Sequence, residues 1–219
     1  MSVNKILEKS KQDKFKKWFE ESIKELIQTS DSIFKCKNAL YGATWLVKDI
    51  DWAVNNCFHK WNGLYLMKQR NQLDKEHLPK IKESFLDLYN NSRIAQLRLE
   101  FKESEIINKD IHSVKKLINL SKEEEFQKKI FEQLDKINSK ILNLISQRDY
   151  WAAWILGDLE WLIEMSYEKI LRAISILESN SDKKDKEFWL KDSLEDLMVY
   201  SVLWYLYTKI KENPEILID

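Results

Sequence analysis

The pattern Trp-x3-Asp-x2-Trp occurs twice in this sequence, as Trp45, Asp49, Trp52 and as Trp154, Asp158, Trp161. On one continuous helix, positions i, i+4 and i+7 share a face. Each copy is therefore expected to hold a carboxylate between two indoles. A carboxylate attracts a cation by charge, and an indole face does so through its quadrupole. An organic cation is the ligand that such a place suits, with Tyr41 and Tyr150 four residues upstream as its rim. The alternative is structural: the indoles fill the core, and each Asp pairs with Lys or Arg of a neighbouring helix or with an indole N–H.

Other chemistry finds little support. His59, His77 and His112 are scattered, and there is no Glu-x2-His, His-x3-His or CxxC spacing to hold a metal. Glu160 and Glu164 share a helical face without a histidine partner. No Walker motif, GxGxxG or nucleophile elbow is present. Neither a metal nor a cofactor is expected.

The elements that position these residues read as helices throughout. Only 3 Gly and 2 Pro occur in 219 residues, too few for a turn-rich β-sandwich or barrel. Apolar residues recur every three or four positions: Phe15, Phe19, Ile23, Leu26; Leu46, Ile50, Ala53, Cys57; Ile81, Phe85, Leu88. Helices are predicted over about 3–29, 38–68, 80–103, 122–146, 149–178 and 187–211. A capping box at Ser121–Glu124 starts the fourth, Asp149 is a suitable N-cap for the fifth, and Pro214 follows the sixth.

The second half repeats the first. Residues 41–60 and 150–169, offset by 109, share Tyr41/Tyr150, Ala43/Ala152, Trp45/Trp154, Asp49/Asp158, Trp52/Trp161 and Lys60/Lys169. At the same offset IKESFLDL (81–88) meets LKDSLEDL (190–197). Phe15, Phe19, Ile23 and Leu26 meet Phe126, Ile130, Leu134 and Ile137 at offset 111. We therefore expect an all-α fold of two tandem helical units, 1–110 and 111–219, each of about three long helices. One such unit buries little surface alone, so the two should pack about a pseudo-two-fold, as identical chains do in a dimer. Across that axis Asp49 and Asp158 are expected to face one cleft.

Composition narrows the function class. With 36 basic and 36 acidic residues the formal charge is zero, which argues against a generally basic nucleic-acid binder. The halves differ: 1–110 carries 20 − 16 = +4 and 111–219 carries 16 − 20 = −4. The N-terminus is too polar for a signal peptide, and no 18-residue apolar run suggests a membrane span. Cys36 and Cys57 are 21 residues apart. On one helix that is about 30 Å, against the roughly 7 Å that a disulfide allows. No bridge is expected, and a cytoplasmic setting fits.

The segments NALYGATWLVKDIDWAVNNCFHKWNGLYL and RDYWAAWILGDLEWLIEMSYEKILRAI resemble the helical C-terminal domain of kanamycin-type nucleotidyltransferases and the related HEPN domains. The resemblance covers about 30 residues of each half, and no transferase catalytic domain accompanies it. It implies the substrate- or partner-binding part of such a system, with a nucleotidyltransferase or other protein as partner. HEPN ribonucleases carry Arg, a polar residue and, four to six residues on, His. Arg70, Asn71 and His77 fit that spacing with six residues between. In such a site His moves a proton from the ribose 2′-OH and Arg stabilises the phosphorane, without a metal. Leu78-Pro79 follow at once, placing the motif in a loop. The second half has Ser179, Asn180 and Lys186 at the matching places.

The leading expectation is a non-catalytic helical binding module for a small cationic or nucleotide-like ligand or a protein partner. Its candidate residues are Trp45, Asp49, Trp52, Trp154, Asp158 and Trp161, with Tyr41 and Tyr150. The alternatives are a metal-independent endoribonuclease using Arg70, Asn71 and His77, which alone implies RNA, and a structural or regulatory interaction protein using the Lys-rich segment 5–17.

Overall fold

A computed structural model of the chain describes residues 13–41, 45, 49–100, 115, 119, 122–147 and 158–217. Six long helices carry the fold: α1 (Asp13–Tyr41), α2 (Ile50–Gln69), α3 (Leu78–Glu100), α4 (Glu124–Gln147), α5 (Leu159–Glu178) and α6 (Lys183–Glu212), followed by a 3-10 turn, Pro214–Leu217. Among the described residues there is no strand. The all-α expectation holds, and no helix of the described residues is long and apolar enough to cross a membrane.

Several predicted boundaries move. The expected break over 29–38 is helical, because Leu26, Ser30, Phe34 and Asn38 form one buried stripe at i, i+4, i+8 and i+12. Burial against other helices overrides the turn preference of Ser and Asn there. The single helix expected over 38–68 is instead the end of α1 and a separate α2 that begins only after Asp49. Likewise α5 begins after Asp158. The predicted stretch 3–12 lies outside the described residues.

α3 and α6 form an antiparallel central pair. Phe85 stacks on Trp204 with ring centroids 3.8 Å apart, Lys82 meets Glu212 at 3.3 Å and Lys191 meets Glu100 at 2.7 Å. α6 is buried without interruption from Ser193 to Leu206, as a helix enclosed on all sides must be. α2 and α5 are a second antiparallel pair: Trp61 stacks on Tyr167 at 4.2 Å and donates to the Ile163 carbonyl at 2.8 Å. α2 packs on α3, α5 on α6, and α1 and α4 each touch both central helices. Exchanging α1 with α4, α2 with α5 and α3 with α6 leaves this list of pairings unchanged.

Local contacts repeat at the 109-residue offset. Lys60 pairs with Asp87 at 2.6 Å, and Lys169 with Asp196 at 2.8 Å. Ser84 donates to the Lys80 carbonyl and Ser193 to that of Trp189. Ser92 does so to Leu88, and Ser201 to Leu197. The main core draws on all six helices. A smaller cluster of Ala53, Val54, Ala95, Ala173, Leu190 and Leu194 closes one end.

One part of the core is polar. Arg93 on α3 is fully buried and donates to Asp31 of α1 at 2.5 Å, Asn90 at 3.2 Å and Asn138 of α4 at 3.4 Å. Tyr89 donates to Asn138 at 3.0 Å, and Ser30 to Asn90 at 2.5 Å. Burial pushes the Tyr89 phenol up to about 12. Among the described residues, Arg93 Nε, Asn90 Nδ2 and Asn138 Nδ2 are buried donors without a partner. Cys36 is exposed and Cys57 buried, both as free thiols. Burial raises the Cys57 thiol to about 12, against a contact with Ser92.

Candidate functional site

The repeated Trp/Asp motif does not form one helical face. Asp49 is extended, at φ −70° and ψ 166°, and stands just before α2. Trp45 therefore lies outside that helix, buried against Phe34 at a centroid distance of 6.2 Å. Asp158 has the same extended geometry before α5, and its carboxylate accepts from the Trp161 backbone N–H at 2.8 Å. The first N–H groups of a helix lack intrahelical acceptors, and Asp is a preferred residue to satisfy one of them. The spacing Asp-x2-Trp is thus that of an N-cap and the third residue of the helix. Trp52 and Trp161 stand partly exposed in those first turns, at 37% and 40%. Tyr41 ends α1, and its side chain, like Tyr150 and Trp154, lies outside the described residues.

The single acidic cleft is also not formed. Lys68, at the end of α2, bonds Glu164 at 2.6 Å and Glu160 at 3.4 Å, near the start of α5. α2 and α5 run antiparallel, so Asp49 and Asp158 mark opposite ends of a 20-residue pair. At 1.5 Å per residue that is about 30 Å.

Each end instead carries its own cleft. The larger, about 610 Å³, lies where α2 and α6 begin and α3 and α5 end. Ile50, Leu99, Leu177 and Leu190 give it an apolar lining, and Asp49, Glu100, Glu187, Arg98, Lys183 and Lys186 a charged rim. Much of that rim is engaged. Glu100 pairs with Lys191, Lys186 donates to the Leu177 carbonyl at 3.1 Å, and Asp49, Arg98 and Lys183 have partners within the molecule. Glu187 has no partner among the described residues. The smaller cleft, about 260 Å³, is lined by Leu73, Asp74, Lys75, Leu78, Leu159, Tyr207 and Lys211. Four of its residues lie 109 positions from linings of the larger: Leu159 from Ile50, Tyr207 from Arg98, Asp74 from Lys183 and Leu78 from Glu187.

The cleft sizes follow the side chains beneath them. Under the larger cleft stand Ala53, Ala95, Ala173 and Leu194. The residues 109 positions away are Leu162, Trp204, Leu64 and Phe85, all with 0% exposure. One end is filled with indole, phenyl and leucine, and the other with three alanine methyl groups and one leucine.

Arg70, Asn71 and His77 lie together on the loop between α2 and α3, beside the smaller cleft. Asn71 has φ 54°, the left-handed conformation that Asn tolerates better than most residues. Its N–H bonds the Lys68 carbonyl and that of Gln72 bonds Met67, the paired bonds of a Schellman cap that ends α2. Arg70 is exposed. His77 Nδ1 lies 2.7 Å from the Asp74 carboxylate, which also accepts from the His77 backbone at 3.1 Å. The hydrogen bond from His77 holds Asp74 below the usual carboxylate range. Among the described residues, no three His, Cys, Asp or Glu converge as metal ligands.

Sequence reasoning missed the Arg93 centre and the alanine-floored cleft. The cleft had a readable signal, since Ala53, Ala95 and Ala173 stand opposite Leu162, Trp204 and Leu64 in the aligned halves. Comparison with family models, with curated proteins and with solved structures finds no match to this chain.

Proposed function

We propose that the chain is a binding module made of two copies of one three-helix unit, and that its ligand enters the larger cleft. The observation carrying this reading is the matched pair of ends: at equivalent positions one end keeps a cleft of about 260 Å³ over large side chains, and the other a recess of about 610 Å³. Small-molecule sites are clefts of roughly 300–1,000 Å³ with apolar walls and a few placed polar groups. The larger cleft has that size, with an apolar floor under a more highly charged rim, and the smaller falls below it. The duplication is supported by the equal lengths of α2 and α5, the extended Asp that precedes each of them and the repeated ion pairs at one offset. The loop of Arg70, Asn71 and His77 serves helix termination in this reading, with Asn71 and Asp74 as capping residues.

The test uses an apolar fluorescent dye, 1-anilinonaphthalene-8-sulfonate. The native protein should bind it saturably at one site. Leu177→Trp, which fills the cleft from its wall, should abolish that binding with the far-ultraviolet circular dichroism unchanged. Equal dye binding by both proteins would sink the reading, and Leu99→Trp repeats the test if Leu177→Trp does not fold. Chelator-resistant RNA cleavage lost in His77→Ala would favour the ribonuclease instead.

A further inference from the structure

Resting on that reading, we propose that the larger cleft takes a zwitterion with an apolar body, of the class of apolar α-amino acids. Three basic and three acidic side chains ring four apolar ones. A ligand of one net charge meets a rim whose charges cancel, whereas one carrying both charges finds a complement for each. The backbone agrees: two helix starts and two helix ends meet at this cleft, bringing partial positive and partial negative termini to one rim.

Two side chains are placed for the two charges. Glu187 is partly buried and lacks a partner among the described residues, and a carboxylate accepts an ammonium well in such surroundings. Its counterpart at the closed end is Leu78, buried at 3% exposure, so packing at that position favours an apolar residue. Lys186 donates one hydrogen bond to the Leu177 carbonyl. An ammonium has three donors, so two are left for a ligand carboxylate. Lys186 and Glu187 are neighbours in the first turns of α6, which sets the two charges of the ligand close together, as on a single α-carbon. The apolar body then lies on Ile50, Leu99 and Leu190.

Displacement of the bound dye tests the class. The probes are L-phenylalanine, N-acetyl-L-phenylalanine, which lacks the ammonium, and L-phenylalanine methyl ester, which lacks the carboxylate. L-phenylalanine should displace the dye, and each blocked form should need about tenfold or more higher concentration. Glu187→Gln should weaken the amino acid and the ester while sparing the N-acetyl form. Lys186→Met should weaken the amino acid and the N-acetyl form while sparing the ester. Equal displacement by all three compounds, or displacement by none while the dye still binds and Leu177→Trp still blocks it, overturns the zwitterion and leaves the binding module standing. Dye binding indifferent to Leu177→Trp overturns both.

Discussion

At one end of the bundle Trp204 stacks on Phe85 between Leu64 and Leu162. At the other, the matched places hold Ala95, Leu194, Ala173 and Ala53. The helix pairings recur at the two ends, and the side-chain volume does not. Protein interiors pack close to crystal density, and filling such an end with large side chains stabilises it by about 1.5–3 kcal/mol for each one fully buried. An end left short of that volume forgoes the stabilisation. The open end is thus the part of the molecule where stability was not maximised, which is where a site is to be sought.

A second contrast lies along the central helices. Tyr89, Asn90 and Arg93 make the polar centre of α3, while Met198, Val199 and Val202 of α6, 109 positions on, are fully buried and apolar. The same architecture thus accommodates an apolar version of this region. Buried ion pairs are commonly no more stabilising than apolar residues of similar volume. The Arg93 centre accordingly fixes how α1 and α4 seat on α3 rather than adding net stability.

The comparison of ends is broken most directly at Trp204. Trp204→Ala should cost about 3–5 kcal/mol, as large-to-small changes in a packed core do. A loss under about 1 kcal/mol in urea unfolding, the size of an ordinary surface effect, would mean that the closed end is not tightly filled. Arg93→Val alone strands Asp31 and two amides and should cost about 3 kcal/mol. Changing Arg93, Asp31, Asn90 and Asn138 together to Val, Leu, Val and Ile, the residues of the other half, should recover most of that loss. Failure to recover would show that the halves are not interchangeable at this level.

Smaller effects sharpen the picture. Asp158→Ala removes a side-chain cap and should cost about 1 kcal/mol, with Asp158→Asn costing much less; equal costs would count against the capping role. Glu25 accepts hydrogen bonds from Lys209 and Tyr205. The bond from Lys209, more than that from Tyr205, holds its carboxyl below the ordinary value of 4.5. A carboxyl lowered on folding stabilises the native state above its unfolded value and ceases to do so as pH falls through the folded value. Glu25→Gln should therefore lower the urea midpoint at pH 7 and leave it unchanged near pH 2. A pH-independent difference would point to packing instead.

Much of the fold could be read from residue periodicity. The stripes Phe15–Leu26 and Ile81–Leu88 are buried faces of α1 and α3. The candidate site was less legible, for a physical reason. The i, i+4, i+7 argument assumes an unbroken helix, and an Asp placed before an apolar run is equally the residue that starts one. Reading Asp49 and Asp158 as N-caps would have shortened both helices and separated the two acids. The α1 stripe through Ser30 was hidden because the partner of Ser30, Asn90, lies 60 residues away.

The unequal burial of the two thiols makes the molecule easy to instrument. A maleimide reagent attacks the thiolate, and a buried thiol raised to about 12 offers almost none at neutral pH. Cys36 alone stands in solvent, on the half of α1 that leads toward Trp45. One fluorophore or spin label will therefore attach at one defined address without prior mutagenesis, and from there report on how α1 is seated.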